Sequence, residues 1–228
     1  MGNAAGRGNP SETSGGQTMY RLHGFFTQNS MKTLYVLEEL GVDFEFCFVD
    51  LMQGANRTDS FRAMTPVGKV PVLEHDGEFL FESGAICRYV ATVEHSPLFP
   101  ADKLQRARVD QWMTFFTCHP GRWLTEIYFE QIIKPAAGMG ETNVAACENA
   151  AKFAHRQLKM VDRWLETRDW LANDAFSIAE PFALAYMEQA HAVGFWLDEH
   201  TNVRAWLQRL EDRDSTERAR ARVRPYQT

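Results

Sequence analysis

Thr65-Pro66-Val67-Gly68-Lys69-Val70-Pro71-Val72-Leu73-Glu74 runs into His75-Asp76-Gly77-Glu78-Phe79-Leu80-Phe81-Glu82-Ser83-Gly84. Two apolar runs flank an Asp-Gly pair. That pair favours the tight hairpin turn whose central residues need positive φ. The spacing predicts strands over 70–74 and 79–81, with a helix starting near Glu82-Ser83-Gly84 and carrying Ile86, Tyr89, Val90 and Val93. Upstream, Tyr20-Arg21-Leu22-His23 alternates as a strand and Gly24 ends it. Residues 30–40 place Met31, Leu34, Leu37 and Leu40 near one helical face, with Gly41 as the stop. Phe44–Val49 alternates again. The order is βαβ, a loop, then ββα.

Downstream the character changes. Glu94-His95-Ser96-Pro97-Leu98-Phe99-Pro100 reads as a linker. Helices are predicted over 103–133, 143–167, 178–193 and 203–222, with no strand signal between them. Trp112, Phe115, Phe116 and Trp123 recur at spacings suited to a bundle core. Ser177-Ile178-Ala179-Glu180 has the form of a capping box, hydroxyl and carboxylate each satisfying a free N–H at a helix start. Seven arginines against four acids between Arg204 and Arg224 read as a solvated terminal helix. The expected organisation is a disordered leader over 1–18, an α/β domain over 19–96, a linker over 97–102 and an all-α helical bundle over 103–228.

The chain has 228 residues, 45% of them apolar and 24% charged, which supports a packed core. A net charge of −6 argues against a general nucleic-acid binder, which needs a basic face to displace counterions. Nothing approaches the roughly 20 apolar residues of a membrane span. Cys47, Cys87, Cys118 and Cys147 are widely spaced, with no CxxC pair. They read as reduced cytoplasmic thiols, with neither a disulfide frame nor a metal site. Residues 1–18 carry five glycines, too little to bury and no apolar signal core. Met19 is then the natural start of the folded chain.

Chemistry should lie where strands meet helix N-termini, which attract anions. Phe25-Phe26-Thr27-Gln28-Asn29-Ser30 is one such corner, and there Thr27 or Asn29 can also serve simply as a helix cap. Gly68-Lys69-Val70-Pro71 is a second. A proline opening a strand can sit in a cis peptide, freeing the preceding backbone groups to pair with an extended ligand. Glu82-Ser83 is the third, offering hydroxyl, N–H and dipole to a carboxylate. Three such corners on one small sheet suit a short anionic peptide.

With these segments in order, Met19 to about Arg213 resembles a cytosolic glutathione transferase. The resemblance rests on Leu37-Glu38-Glu39-Leu40-Gly41, Thr65–Leu73, Phe81–Ile86 and Phe176-Ser177-Ile178-Ala179-Glu180, taken jointly. It implies a thioredoxin-like N-terminal domain, glutathione as co-substrate, no metal and a homodimer. Val70, before Pro71, would pair its backbone with the cysteinyl part of glutathione. Ser83 would receive the γ-glutamyl carboxylate and Glu82 the ammonium. Asn56 and Arg57, in a segment similar to the Gly-Ala-His-Lys of phi-type members, would meet the glycyl carboxylate with Lys69 adding charge.

The catalytic loop has no cysteine between Gly24 and Lys32, and His23-Gly24-Phe25 stands where other classes end the first strand in tyrosine. Thr27-Gln28-Asn29-Ser30 resembles the Ser-Pro-Asn of phi-type and the Thr-Pro-Asn-Gly of Nu-type members. Thr27 is therefore expected to face the sulfur and Asn29 to be a second donor, with Gln28 replacing the proline of both groups. A free thiol is mostly protonated at neutral pH, and the thiolate is the nucleophile. Lowering its pKa by about 2 needs roughly 2.7 kcal/mol, within reach of such donors. The electrophile is expected against Phe25, Phe26 and a helix carrying Cys118, Arg122 and Trp123, although Trp123 also suits core packing. Conjugation to a hydrophobic electrophile is the first expectation. Glutathione-dependent disulfide reduction or peroxidase action, and a non-catalytic binding module, are the alternatives.

Overall fold

Tyr20–Gly24 (β1), Phe44–Phe48 (β2), Val72–His75 (β3) and Glu78–Phe81 (β4) form one sheet in the order β2-β1-β3-β4. The structure, a computed structural model, describes residues 20–227. The expected leader over 1–18 lies outside them. β1 and β2 run parallel, joined through α1 (Gln28–Leu40). β1 and β3 are antiparallel, as are β3 and β4. The hairpin turn has φ of 54° at Asp76 and 80° at Gly77, the positive values the Asp-Gly pair predicts. α1 ends where Gly41 adopts φ 68° and returns its N–H to Glu38. A short helix, α2 (Asp59–Met64), occupies part of the expected loop, and Thr58 Oγ1 caps it by accepting from Phe61 N.

Ser83–Val93 (α3) completes the first half. Lys103–Cys118 (α4), Pro120–Tyr128 (α5), Lys134–Ala136 (α6), Val144–Leu165 (α7), Ala179–Ala192 (α8), Thr201–Glu211 (α9) and Asp214–Val223 (α10) follow with no strand. Two long predicted helices are broken. The first is interrupted at His119, whose ψ of −99° ends α4, and Pro120 opens α5. Proline suits that first position because its missing N–H would be unpaired there anyway. Phe129–Ile133 then widens into a π-helical turn. The second is interrupted at Arg213, which is extended.

α1 joins the halves. It packs on α3 within its own half and on α8 and α10 of the helical half. Covered on several sides, it buries every residue from Ser30 to Glu38, polar ones included. One continuous core therefore holds Leu34, Leu37 and Ile86 together with Phe182 and Tyr186. On the helical side α5 approaches α8 closely. A Cβ at Gly121 would fall 2.3 Å from the Tyr186 ring and 2.4 Å from the Phe116 carbonyl oxygen, so only glycine fits.

Two expectations about polar residues are corrected. Ser177 Oγ does accept from Ala179 N, but Glu180 does not complete a capping box. Its fully buried carboxylate instead accepts from Leu171 N and Trp206 Nε1, at 2.9 and 2.8 Å, pinning α9 and the 171 loop to α8. Burial still pushes this carboxyl up to about 8. Nor is the arginine-rich end simply solvated. Arg218 and Arg222 pair with Glu38, Arg213 with Glu39 and Arg220 with Glu188. Charge patterning along one helix could not reveal acids on α1 some 180 residues away. No helix among the described residues is long and apolar enough to cross a membrane.

Candidate active site

Strand register brings the three corners together. His23 pairs with Val72, and Val72 with Phe81. The end of β1, the start of β3 and the end of β4 thus lie side by side at one edge of the sheet. Immediately beyond them come Phe25–Thr27, the cis Val70–Pro71 peptide and the start of α3. Phe25, Val70 and Val72 share one small apolar cluster.

The first corner is built around Gly24 and Ser30. A Cβ at Gly24 would come within 2.8 Å of the Phe46 ring and 3.2 Å of Ser30 Oγ, so glycine is required for the turn to close. Ser30, fully buried, accepts from Phe25 N at 3.2 Å and lies 3.3 Å from Thr27 Oγ1. Either hydroxyl can be the donor in this pair, because the Ser30 oxygen has two lone pairs and Phe25 N uses one of them. With Ser30 as the donor, Thr27 keeps its own proton to offer to the cleft. Thr27 occupies the N-cap position of α1 yet makes no side-chain cap bond. Its hydroxyl remains available.

Asn29 is exposed, and its Oδ1 accepts from Lys32 Nζ at 2.8 Å. Lys32 is only 3% exposed and lies 3.7 Å over the Tyr186 ring and 5.2 Å over Phe182. Among the described residues it forms no ion pair. Burial pushes its ammonium down to about 7 and the Tyr186 hydroxyl up to about 12. Neither Ser30 nor Lys32 stood out as a site residue in the sequence. Both carry signals only once their burial is known.

Asn29 and Lys32 line a 320 Å³ cavity with Glu82, Ser83, Arg88 and Tyr186. Ser83 opens α3 and is buried, so its N–H and hydroxyl face this space from a helix N-terminus. Glu82, just before it, holds φ 71°, a conformation costing roughly 1–3 kcal/mol in a non-glycine residue. Asn56 donates its amide to Gly68 O at 2.8 Å, tying its loop to the segment before Pro71. Arg57 and Lys69 beside it are exposed cations.

A second cavity of 340 Å³ adjoins the first at Asn29. Phe25 and Phe26, stacked at 3.8 Å, form one wall; Thr27 and Gln28 lie at its base. α5 and the π-helical turn form the other wall, but through Thr125, Tyr128 and Phe129. Cys118, Arg122 and Trp123 do not line this cavity. Cys118 is exposed at the end of α4, and Trp123 stacks on Phe153 of α7 at 4.8 Å with Arg122 over it. The break at His119–Pro120 resets the helical phase, and the expectation drawn from the resemblance for Cys118, Arg122 and Trp123 is corrected, while the core packing suggested by the spacing of Trp123 is seen. From α8, Glu188 and Gln189 complete the wall. A larger, 500 Å³ cavity between α8 and α9 touches none of the three corners. The clustering of anion-binding groups makes the sheet edge the candidate site.

This edge presents the Thr27 hydroxyl and Asn29 amide, the α3 N-terminus with Glu82 before it, and the exposed cations Arg57 and Lys69. Relatives share the architecture. The family model described as the glutathione S-transferase N-terminal domain matches residues 18–92, and that of the C-terminal domain matches residues 122–214. Glutathione S-transferase 3 of Zea mays is 32% identical over 164 residues, 70% of this chain and 73% of the relative. Glutathione S-transferase 4 of the same plant is 31% identical over 185 residues, 80% and 82% of the two chains. The solved structure of glutathione S-transferase I bound with lactoylglutathione matches with a TM-score of 0.81 at 26% identity, over 89% of this chain and 98% of that one. Family models over both halves and relatives at this identity lead to one conclusion: the chain belongs to the glutathione S-transferase family.

Proposed function

We propose that the chain binds glutathione across the three corners and transfers it, as a thiolate, to a neutral hydrophobic electrophile in the 340 Å³ cavity. The observation that carries this reading is the register His23–Val72–Phe81, which aligns Thr27, Val70 and Ser83 along one edge beside that cavity. Ser83 and the α3 N-terminus receive the γ-glutamyl carboxylate, and Glu82 takes its ammonium. The Val70 backbone pairs with the cysteinyl residue beside Pro71. Asn56, Arg57 and Lys69 lie toward the glycyl carboxylate.

The sulfur meets the Thr27 hydroxyl, oriented by Ser30, and the Asn29 amide. Both are donors and favour the charged thiolate over the thiol. The thiol proton leaves to water, since a threonine hydroxyl is no base at neutral pH. The thiolate then displaces a leaving group or adds to an activated double bond, forming the C–S bond. The four free cysteines suit a reducing cytoplasm. β4 is an edge strand with Phe79 and Phe81 exposed, and that edge suits a second copy in a homodimer.

Calorimetric titration with glutathione, followed by conjugation of chlorodinitrobenzene, tests the reading. Saturable binding with turnover is expected. Binding without turnover of any electrophile or small disulfide would leave only a binding module. Absence of binding would remove the site assignment.

A further inference from the structure

Gln28, in the position given to proline by related loops, reaches across the cleft. Its Nε2 donates to Thr125 Oγ1 of α5 at 3.2 Å and to Gln189 Oε1 of α8, and Thr125 Oγ1 donates to the same oxygen at 2.9 Å. The three side chains line the 340 Å³ cavity, so this bridge is its polar floor. An amide–amide pair spends the N–H of one partner and the carbonyl of the other. Its free ends are therefore always one carbonyl and one NH2. Here Gln189 Nε2 and Gln28 Oε1 have no partner among the described residues. Beyond this bridge, Thr27, Asn29 and Tyr128 are the other polar uncharged side chains of the lining; the one carboxylate, Glu188, accepts from Tyr35 and Arg220, and the rest is aromatic or aliphatic.

We infer that the Gln28–Gln189 pair is a specificity determinant that selects neutral electrophiles carrying a carbonyl oxygen conjugated to the reacting carbon. The inference rests on the glutathione-transfer reading above. An apolar halide filling this cavity strips water from the free amide N–H groups and returns no hydrogen bond. A conjugated carbonyl pairs with them, and the pairing strengthens as charge builds on its oxygen. In the reaction the glutathione thiolate bonds to the β-carbon and the C=C π pair shifts to give an enolate. The proton given up by the thiol returns through water to the α-carbon. No atom or electron is left over, and Gln189 N–H holds the enolate oxygen while the charge resides there.

The test compares benzylideneacetone, a conjugated ketone, with benzyl chloride, which has a similar ring and no carbonyl. In Gln189→Leu the ratio of their kcat/KM values is expected to fall about tenfold or more from wild type. Gln28→Leu and Thr125→Val, both nearer solvent, lower the same ratio by about threefold because they unfix Gln189. They carry the test should the buried Gln189 variant not fold. An unchanged ratio in all folded variants overturns the clamp while leaving glutathione transfer intact. A wild-type protein that conjugates neither compound, nor chlorodinitrobenzene, overturns both.

Discussion

Lys32 Nζ lies 2.8 Å from Asn29 Oδ1, and this contact decides what Asn29 can offer the site. An ammonium only donates. The asparagine must therefore turn its carbonyl inward to Lys32 and its NH2 outward to the cleft. A carboxamide that elsewhere could face either way is held as a donor, the polarity a thiolate requires. The cost is an ammonium buried between Asn29 and two aromatic rings, with no ion pair among the described residues and only the more distant Glu82 charge to favour it.

That cost gives a signed pH dependence. Burial lowers the Lys32 pKa from 10.5 to about 7. Between those values the unfolded chain binds a proton that the folded chain does not, so stability from this group rises with pH. The penalty is complete below about 7 and vanishes toward 10.5. It is on the order of 5 kcal/mol before the Asn29 bond and cation–π contacts offset it. Lys32→Met should stabilise the protein at pH 6 and bring little gain at pH 10, measured by urea unfolding. An equal gain at both values would contradict a charged buried lysine.

Thr27, Ser30 and Ser83 should separate into two kinds of defect. Thr27→Ala removes the hydroxyl proposed to meet the sulfur and should lower kcat about 10- to 100-fold, with a raised glutathione thiol pKa in the ultraviolet titration. Ser30→Ala should shift the same titration in the same direction by less, because it only releases the Thr27 rotor. Ser83→Ala should raise the glutathione KM about tenfold with kcat nearly kept. If Ser83→Ala moved the thiol titration as far as Thr27→Ala, this division of roles would be wrong.

Glu180 is a keystone of the helical half. Truncation to alanine leaves Trp206 Nε1 and Leu171 N without acceptors, each costing roughly 1–3 kcal/mol, and opens a small void. Glu180→Ala should therefore lose on the order of 4 kcal/mol in chemical unfolding followed by tryptophan emission. A loss under about 1 kcal/mol would show that water replaces the carboxylate.

How far the sequence could carry this picture depends on the range of each interaction. The Asp76-Gly77 turn, the Gly41 stop and the strand alternation are local, and each appears where neighbouring residues demand it. The corners were legible for the same reason: Thr27, Val70-Pro71 and Glu82-Ser83 sit at element junctions. The apolar spacing of Trp123 suits the core, where it stacks on Phe153. The placement of Cys118, Arg122 and Trp123 at the electrophile came instead from the family resemblance, which carries no information on the helix break at Pro120. The partnership of Gln28 with Gln189 joins residues 161 positions apart and has no local trace. Lys32 likewise has no local signal, because nothing in residues 28–40 announces that α8 covers that face.

The arginine-rich end should couple stability to the second substrate. Glu38 is buried and holds both Arg218 and Arg222, while Tyr226 stacks on Phe48 at 4.0 Å, and Phe48 on Phe25 at 5.4 Å. The ion pairs thus seat α10 and, through the stacked rings, support the Phe25 wall of the 340 Å³ cavity proposed to hold the electrophile. Both arginines are partly exposed, so solvent screening reduces the pairing, and Glu38→Gln should cost only about 1–2 kcal/mol. Hydrogen exchange should accelerate first in α10, and the KM for the electrophile should rise while that for glutathione holds. Raising the salt concentration should reproduce part of the same pattern in wild type. Uniform acceleration across all helices, or a parallel rise in both KM values, would mean the staple holds the whole fold and not this wall.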